Sequence, residues 1–223
     1  LSILASLAFG ARVDFPHVAC EGIRAVESAD IDHAAALGFR IKLIGLAAAE
    51  DGALFQRVHP CLVSLKHPLA HVDGSLNAVV AEGNFVGRLL FQGRGAGEGP
   101  TASAVVADLI DVARGEVGPA FAMPAARLSK LPPADQLAHE GRFYLRLTVA
   151  DRPGVLAEIT AALRDAGVSI ESLIQRGVAA NGGVYVVMVT HSAVERQVRA
   201  ALSALAGSDS LTGAPMMMHI LDF

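Results

Sequence analysis

Glycine occupies every second position from Gly93 to Gly99 in the stretch FQGRGAGEGPTASAVVADLIDVARG, residues 91–115. A strand-like run, a glycine-rich turn and an amphipathic helix in that order place backbone N–H groups where they suit a phosphate or a cofactor edge. Neither familiar phosphate pattern is met. A G-x-G-x-x-G reading from Gly93 requires glycine where Glu98 stands, and one from Gly95 meets Pro100. A P-loop requires lysine and then serine or threonine after its last glycine, and Pro100-Thr101 is found instead. A plain turn needs no glycine at all four positions, so the pattern predicts close approach of another group to this backbone.

Other residues with chemical potential give weaker signals. His67 and His71 are four apart, but Pro68 opposes the helix that would bring them together, so no metal site is expected. Lys42 lies among apolar neighbours of a strand, which suits an outward-facing or paired structural role. Asp108 and Asp111 lie on the polar side of a helix with nothing converging on them, as on a solvated face. Cys20 and Cys61 have neither disulfide-framework nor zinc spacing and are expected as buried free thiols.

The bulk composition narrows the function classes. The net charge of −4 and a pI near 6.1 exclude the basic stripe of a nucleic-acid binder. With no Trp and two Tyr, stacking platforms for bases are absent too. Apolar residues make up 52% of the 223, and mean hydropathy is +0.45. The longest apolar runs are far below the ~20 residues of a membrane span, which predicts a soluble, cytoplasmic chain with a full core. Leu1 is no initiator Met, and the opening LSILASLAFG has apolar residues at helical spacing, with Ile3, Leu4, Leu7 and Ala8 on one face. The chain is expected to begin in mid-structure.

Periodicity then gives the elements. A helix is expected over residues 1–13 and another over 29–38, capped by Ser28 and stopped by Gly38. Strands follow at 39–50 and 54–65, with Pro60 marking an irregularity or an edge. A short apolar element at 76–80 and a strand at 84–92 lead to the helix at 101–114. There Ala102, Val105, Val106, Leu109, Ile110 and Ala113 form an apolar face. Between residues 115 and 140 the pattern collapses among prolines, which sets a linker at 120–140 between parts 1–119 and 141–223.

From Gly141 the order is β-α-β-β-α-β, the ferredoxin-like unit. Phe143, Leu145, Leu147 and Val149 alternate with Tyr144, Arg146 and Thr148 in its first strand, as in a half-buried strand. The stretch DRPGVLAEITAALRDAGVSIESL resembles an ACT domain, an amino-acid-sensing module. Gly154 would let the backbone approach a ligand, the helix N-terminus at Val155 suits a carboxylate, and Asp151 suits an α-amino group. Alternatively Asp151 and Gly154 only cap the helix. Many such domains carry Asn where this chain has Ser169.

Residues 1–115 resemble the catalytic-domain portion of homoserine dehydrogenase, through LSILASLAFG, EGI, GFRIKLIGLA, HPLAHVDGSLNAV and GRGAGEGPTASAVVADL. With the ACT-like tail, the resemblance implies an α+β fold: a truncated catalytic and dimerisation domain with a mixed sheet and helices, then a ferredoxin-like ACT domain. It implies NAD(P)-dependent interconversion of L-homoserine and L-aspartate 4-semialdehyde, with Gly95, Ala96 and Gly97 beside the nicotinamide. His67 is the matching histidine near the substrate pocket. The family's dinucleotide-binding domain and catalytic lysine would lie upstream of Leu1, so this chain alone is expected to be inactive and to hold no cofactor tightly. The implied partners are an amino-acid effector, threonine foremost, and further copies of the chain in a dimer or tetramer; no nucleic acid or membrane is implied. The alternative is a non-catalytic amino-acid-binding and dimerisation module.

Overall fold

The computed structural model describes residues 1–179 and 182–221, without the side chain of Arg176. In chain order the elements are α1 (Ser2–Phe9), β1 (Ala19–Cys20), α2 (Ser28–Ala36), β2 (Phe39–Glu50) and β3 (Ala53–Ser64). There follow β4 (Leu76–Gly83), β5 (Gly87–Arg94) and α3 (Glu98–Arg114). The remainder contains β6 (Glu140–Gly141), β7 (Phe143–Val149), α4 (Val155–Asp165), β8 (Ile170–Val178), β9 (Val184–Thr190), β10 (Ala193–Val194), α5 (Glu195–Leu205) and β11 (Met216–Leu221). The fold is mixed α+β, as expected. The last two residues of the expected fourth ferredoxin-like strand, Asp222 and Phe223, lie outside the described residues.

One sheet runs through both parts of the chain. Its order is β1-β3-β11-β7-β9-β8, and β2 pairs with β3 along all twelve residues. Within it, β11-β7-β9-β8 is the ferredoxin-like set, and β11 continues the sheet by pairing in parallel with β3 through His219↔Cys61, Ile220↔Leu62 and Leu221↔Val63. Pro60 does not put β3 at an edge. It falls where the neighbour changes from β1, paired at Arg57 and Val58, to β11, so its missing N–H meets a gap in the ladder.

The alternation in β7 sends Phe143, Leu145, Leu147 and Val149 into one core cluster with Val155, Ile159 and Leu163 of α4 and Val198, Ala201 and Leu205 of α5. The strand is not half-buried, however. Its other face is covered by α2, where Tyr144 packs with Ala34 of that helix and with Leu62 and Met218 of the same sheet. The residues between 120 and 140 carry two short 3₁₀ turns and pair with the first part of the chain through the bridges Ala11↔Ser129 and Leu54↔Pro133.

Three elements differ from their sequence reading. α1 stops at Phe9, and it turns its small residues Ser2, Ala5 and Ser6 inward, leaving Ile3, Leu4 and Leu7 outside. Small residues let the helix approach β2 closely, where Leu1 lies against Gly45. The segment before α3 is a hairpin: β4 and β5 pair from Leu76↔Arg94 to Gly83↔Gly87, with Asn84 in the turn. In α3 the expected apolar face exists, but none of its residues is buried, and Leu109 is 62% exposed.

Candidate functional site

The glycine-rich run is divided among a strand end, a short turn and the first turn of α3. Gly97 is the helix N-cap at φ +120°, a conformation that excludes L side chains at low cost. At Gly95 the group that approaches the backbone belongs to the chain itself, since a β-carbon there would run into the Asn77 side-chain amide. Gly93 and Gly99 face open space. The run is exposed throughout. The first amides of α3 lack partners within the helix, and Pro100 has no N–H to offer, which leaves Glu98 and Gly99 as outward donors. Such an end fits a secondary contact to the edge of a dinucleotide rather than a cradle for its pyrophosphate.

His67 is buried at the start of the 3₁₀ turn Pro68–His71, and its Nδ1 accepts a hydrogen bond from the Leu69 amide at 3.2 Å. Burial, then the Arg88 guanidinium, lowers its pKa below the ordinary histidine range. Arg88 and Glu82 stand near the turn of the β4–β5 hairpin, whereas Gly95 lies at its base, roughly 20 Å away along the strand. His67 thus stands on the turn after β3, and Gly95 to Gly97 on the turn between β5 and α3. Lys42 is paired, with Nζ 2.9 Å from Asp73 Oδ1 and 2.6 Å from the Val72 carbonyl. Cys61 is buried, but Cys20 is exposed because β1 is a two-residue strand at the sheet's end.

In the ferredoxin-like part, Gly154 caps α4 at φ +94° with open space where a β-carbon would point. Asp151 is exposed, and no side-chain hydrogen bond from it to α4 occurs among the described residues. Val155 buries its side chain in the core and leaves only its amide for a ligand. Beside the loop, Ser210 Oγ donates to Glu158 at 2.5 Å and accepts from Arg152 at 3.2 Å. Ser169 precedes β8 at the far end of α4, about 16 Å from Gly154 along the helix. Asp151, Gly154 and Val155 share one end of the domain, and Ser169 does not join them within one chain.

Where β3 meets β11, a buried polar chain assembles that no local pattern announces. Arg57 Nη1 lies 2.6 Å from Glu195 Oε2, and Glu195 is fully buried at the start of α5. Its carboxylate also receives Arg199 Nε at 2.7 Å and His219 Nε2 at 2.9 Å. His219 Nδ1 is 3.1 Å from His59 Nδ1, and His59 Nε2 is 3.3 Å from Cys61 Sγ. Burial raises the Glu195 pKa, but hydrogen bonds from His219, Arg57 and Arg199 outweigh it and hold the carboxyl well below its usual range. Burial, then His219 and Arg57, lowers His59 to about 3. Burial pushes the Cys61 thiol up to about 12. Arg57 Nη1 also lies 2.7 Å from His219 Nε2, and the neutral Cys61 thiol can donate to His59 Nε2. A lone Glu at a helix start and histidines scattered over 160 positions carry no local signal, because only the β3–β11 register assembles them.

A second junction lies nearby. Arg146 of β7 is 3% exposed and binds Asp30 at 2.7 Å and Glu27 at 2.9 Å, and the Tyr144 hydroxyl donates to Asp30 at 2.9 Å. Asp30 in turn accepts from the Glu27 amide in a capping box that starts α2.

Residues 1–110 match the family described as homoserine dehydrogenase, and residues 143–207 match the ACT domain. The chain is 38% identical to homoserine dehydrogenase of Pseudomonas aeruginosa and 40% identical to that of Synechocystis. Each match covers 99% of this chain, and 52% and 53% of those proteins respectively. A crystal structure of a homoserine dehydrogenase from Thiobacillus denitrificans superposes with a TM-score of 0.89 at 37% identity, over 99% of this chain and 51% of that one. The Staphylococcus aureus enzyme at pH 7.0 gives 0.68 at 26% identity, over 99% and 52%. Fold and matches define the class as an α+β dehydrogenase segment joined edge to edge to an ACT domain. The chain belongs to the homoserine dehydrogenase family. It spans about half the length of the curated relatives it matches.

Proposed function

We propose that this chain forms part of an NAD(P)-dependent enzyme that interconverts L-homoserine and L-aspartate 4-semialdehyde, under control of an amino acid bound by its ACT domain. The observation that carries this reading is the match over 99% of the chain, across both segments, to homoserine dehydrogenases about twice as long. Bound NAD(P) gives or takes the hydride. The backbone of Gly95, Ala96 and Gly97 and the open end of α3 would hold its nicotinamide edge, and His67 would brace the substrate side. The exposed apolar faces of α1, α3 and the β4–β5 hairpin pack against the remainder of the enzyme or a second copy. On its own the chain is inactive, because the dinucleotide must be held in line with the alcohol carbon.

The effector, threonine foremost, sits at the Asp151, Gly154 and Val155 end of the ACT domain, with its carboxylate on the α4 N-terminus. Ser169 reaches such a ligand only from a partner copy, which supports a dimer or larger assembly. The test is a spliced enzyme in which this chain replaces the matching half of the Pseudomonas aeruginosa relative. Oxidation of NAD(P)H with L-aspartate 4-semialdehyde is expected from the spliced enzyme and not from the chain alone. A folded, dimeric splice without turnover would overturn the reading.

A further inference from the structure

Between α2 and the sheet face that α4 and α5 leave free lies a cleft of about 450 Å³. Glu27 of α2, Arg146 and Thr148 of β7, and Tyr185 of β9 give it polar walls. Ala214 and Met216, on the strap that enters β11, give it an apolar one. Arg146 is fixed, with Nε and Nη2 held by Asp30 and Glu27. Its Nη1 carries no hydrogen bond among the described residues. Glu27 has one oxygen on Arg146, while the other, 3.4 Å from the Tyr185 hydroxyl, sits on a side chain that is 53% exposed.

These groups specify a ligand by charge. One guanidinium faces two carboxylates, so the cleft carries a net negative charge and does not favour a simple anion. A simple cation would leave the spare Arg146 donor unmet. A molecule with a carboxylate and an ammonium a few bonds apart satisfies both, by charge-assisted hydrogen bonds of the stronger kind. The volume and the Ala214–Met216 wall leave room for a small side chain. We propose that this cleft binds an α-amino acid, with its carboxylate on Arg146 Nη1, its ammonium on Glu27 and its side chain toward Met216. The site is built from α2 on one side and β7, β9 and β11 on the other, so its ligand ties the two parts of the chain together. Asp151 does not line it, and α4, which the Asp151 loop leads into, packs on the opposite face of β7.

The test is calorimetric titration of the chain with glycine, L-alanine, L-serine, L-threonine and L-methionine, with acetate and ethylammonium as half-ligands. Glu27→Gln keeps the cap on α2 but removes the anion, and Ala214→Leu fills the cleft from an independent element. Saturable binding of at least one amino acid is expected. Its Kd should rise at least about tenfold in either variant, as for loss of a charged hydrogen bond. It should remain within about twofold in Asp151→Ala, a surface change with no contact to the cleft. Failure of every amino acid to bind, or equal binding by a half-ligand, would overturn the proposal. So would binding unaffected by both cleft variants; if Asp151→Ala then abolishes it, the effector belongs to the loop of the preceding section. A separate binding phase that is lost in Asp151→Ala and kept in the cleft variants belongs to the loop site, and its absence would overturn the loop assignment without touching the cleft.

Discussion

His59 sets a pH dependence of stability that can be worked out from its surroundings. The ring is buried between His219, Arg57, His139 and Glu195, and its pKa falls from 6.5 to about 3. The unfolded chain therefore takes up a proton near pH 6.5 while the folded chain does not, and stability is lost as pH falls across the window from 6.5 to about 3. Each unit in that window costs about 1.4 kcal/mol, or about 2 kcal/mol between pH 6.5 and pH 5. The perturbation is His59→Gln, whose amide can still donate toward His219 but does not titrate. Urea unfolding followed by circular dichroism at pH 7, 6 and 5 gives the slope for each protein. Loss of hydrogen bonding lowers the variant at every pH, so only the difference in slope is read. The variant should lose about 2 kcal/mol less than the wild type between pH 6.5 and 5. Parallel slopes would refute a neutral, buried His59.

Three further outcomes follow from the packing. Glu195→Ala strands Arg57 and His219 without their carboxylate and should cost about 3–5 kcal/mol in urea unfolding, with Glu195→Gln costing less. Ile159→Ala, at a fully buried position between α4 and β7, should cost about 2–5 kcal/mol in the same assay. Gly97→Ala forces a β-carbon into φ +120° at the N-cap of α3 and should cost about 1–3 kcal/mol locally, read as faster amide exchange in the first turn of α3 with the ACT core unchanged.

The ferredoxin-like part was legible because each strand and helix has its own period. The stripe Val155, Ile159 and Leu163 and the alternation in β7 both point into one cluster. Burial of the second face of β7 was not legible, because Tyr144, Arg146 and Thr148 look like solvent-facing residues until α2 is placed over them. Direction failed similarly at α1, where the more apolar face points out and the small one in. A helical period reveals that two faces differ and not which one packs, and close approach to β2 favoured Ser and Ala. The glycine run showed that something crowds the backbone, and at Gly95 that group proved to be Asn77, brought close by a hairpin whose turn residues were not recognised. The Glu195, His219, His59 and Cys61 chain was out of reach, since it exists only through the pairing of β3 with β11.

That pairing makes one sheet of the two segments and joins the ACT domain directly to the first part of the chain. Hydrogen–deuterium exchange of the segment containing β11 tests it most directly. The Ile220 amide donates to the Arg142 carbonyl on the β7 side, so the alternate amides of His219 and Leu221 point to β3 and should exchange as slowly as those of Leu145 and Leu147 in β7. Exchange at the rate of the edge strand β8 would show that β11 ends the ferredoxin-like sheet, and would contradict a continuous sheet.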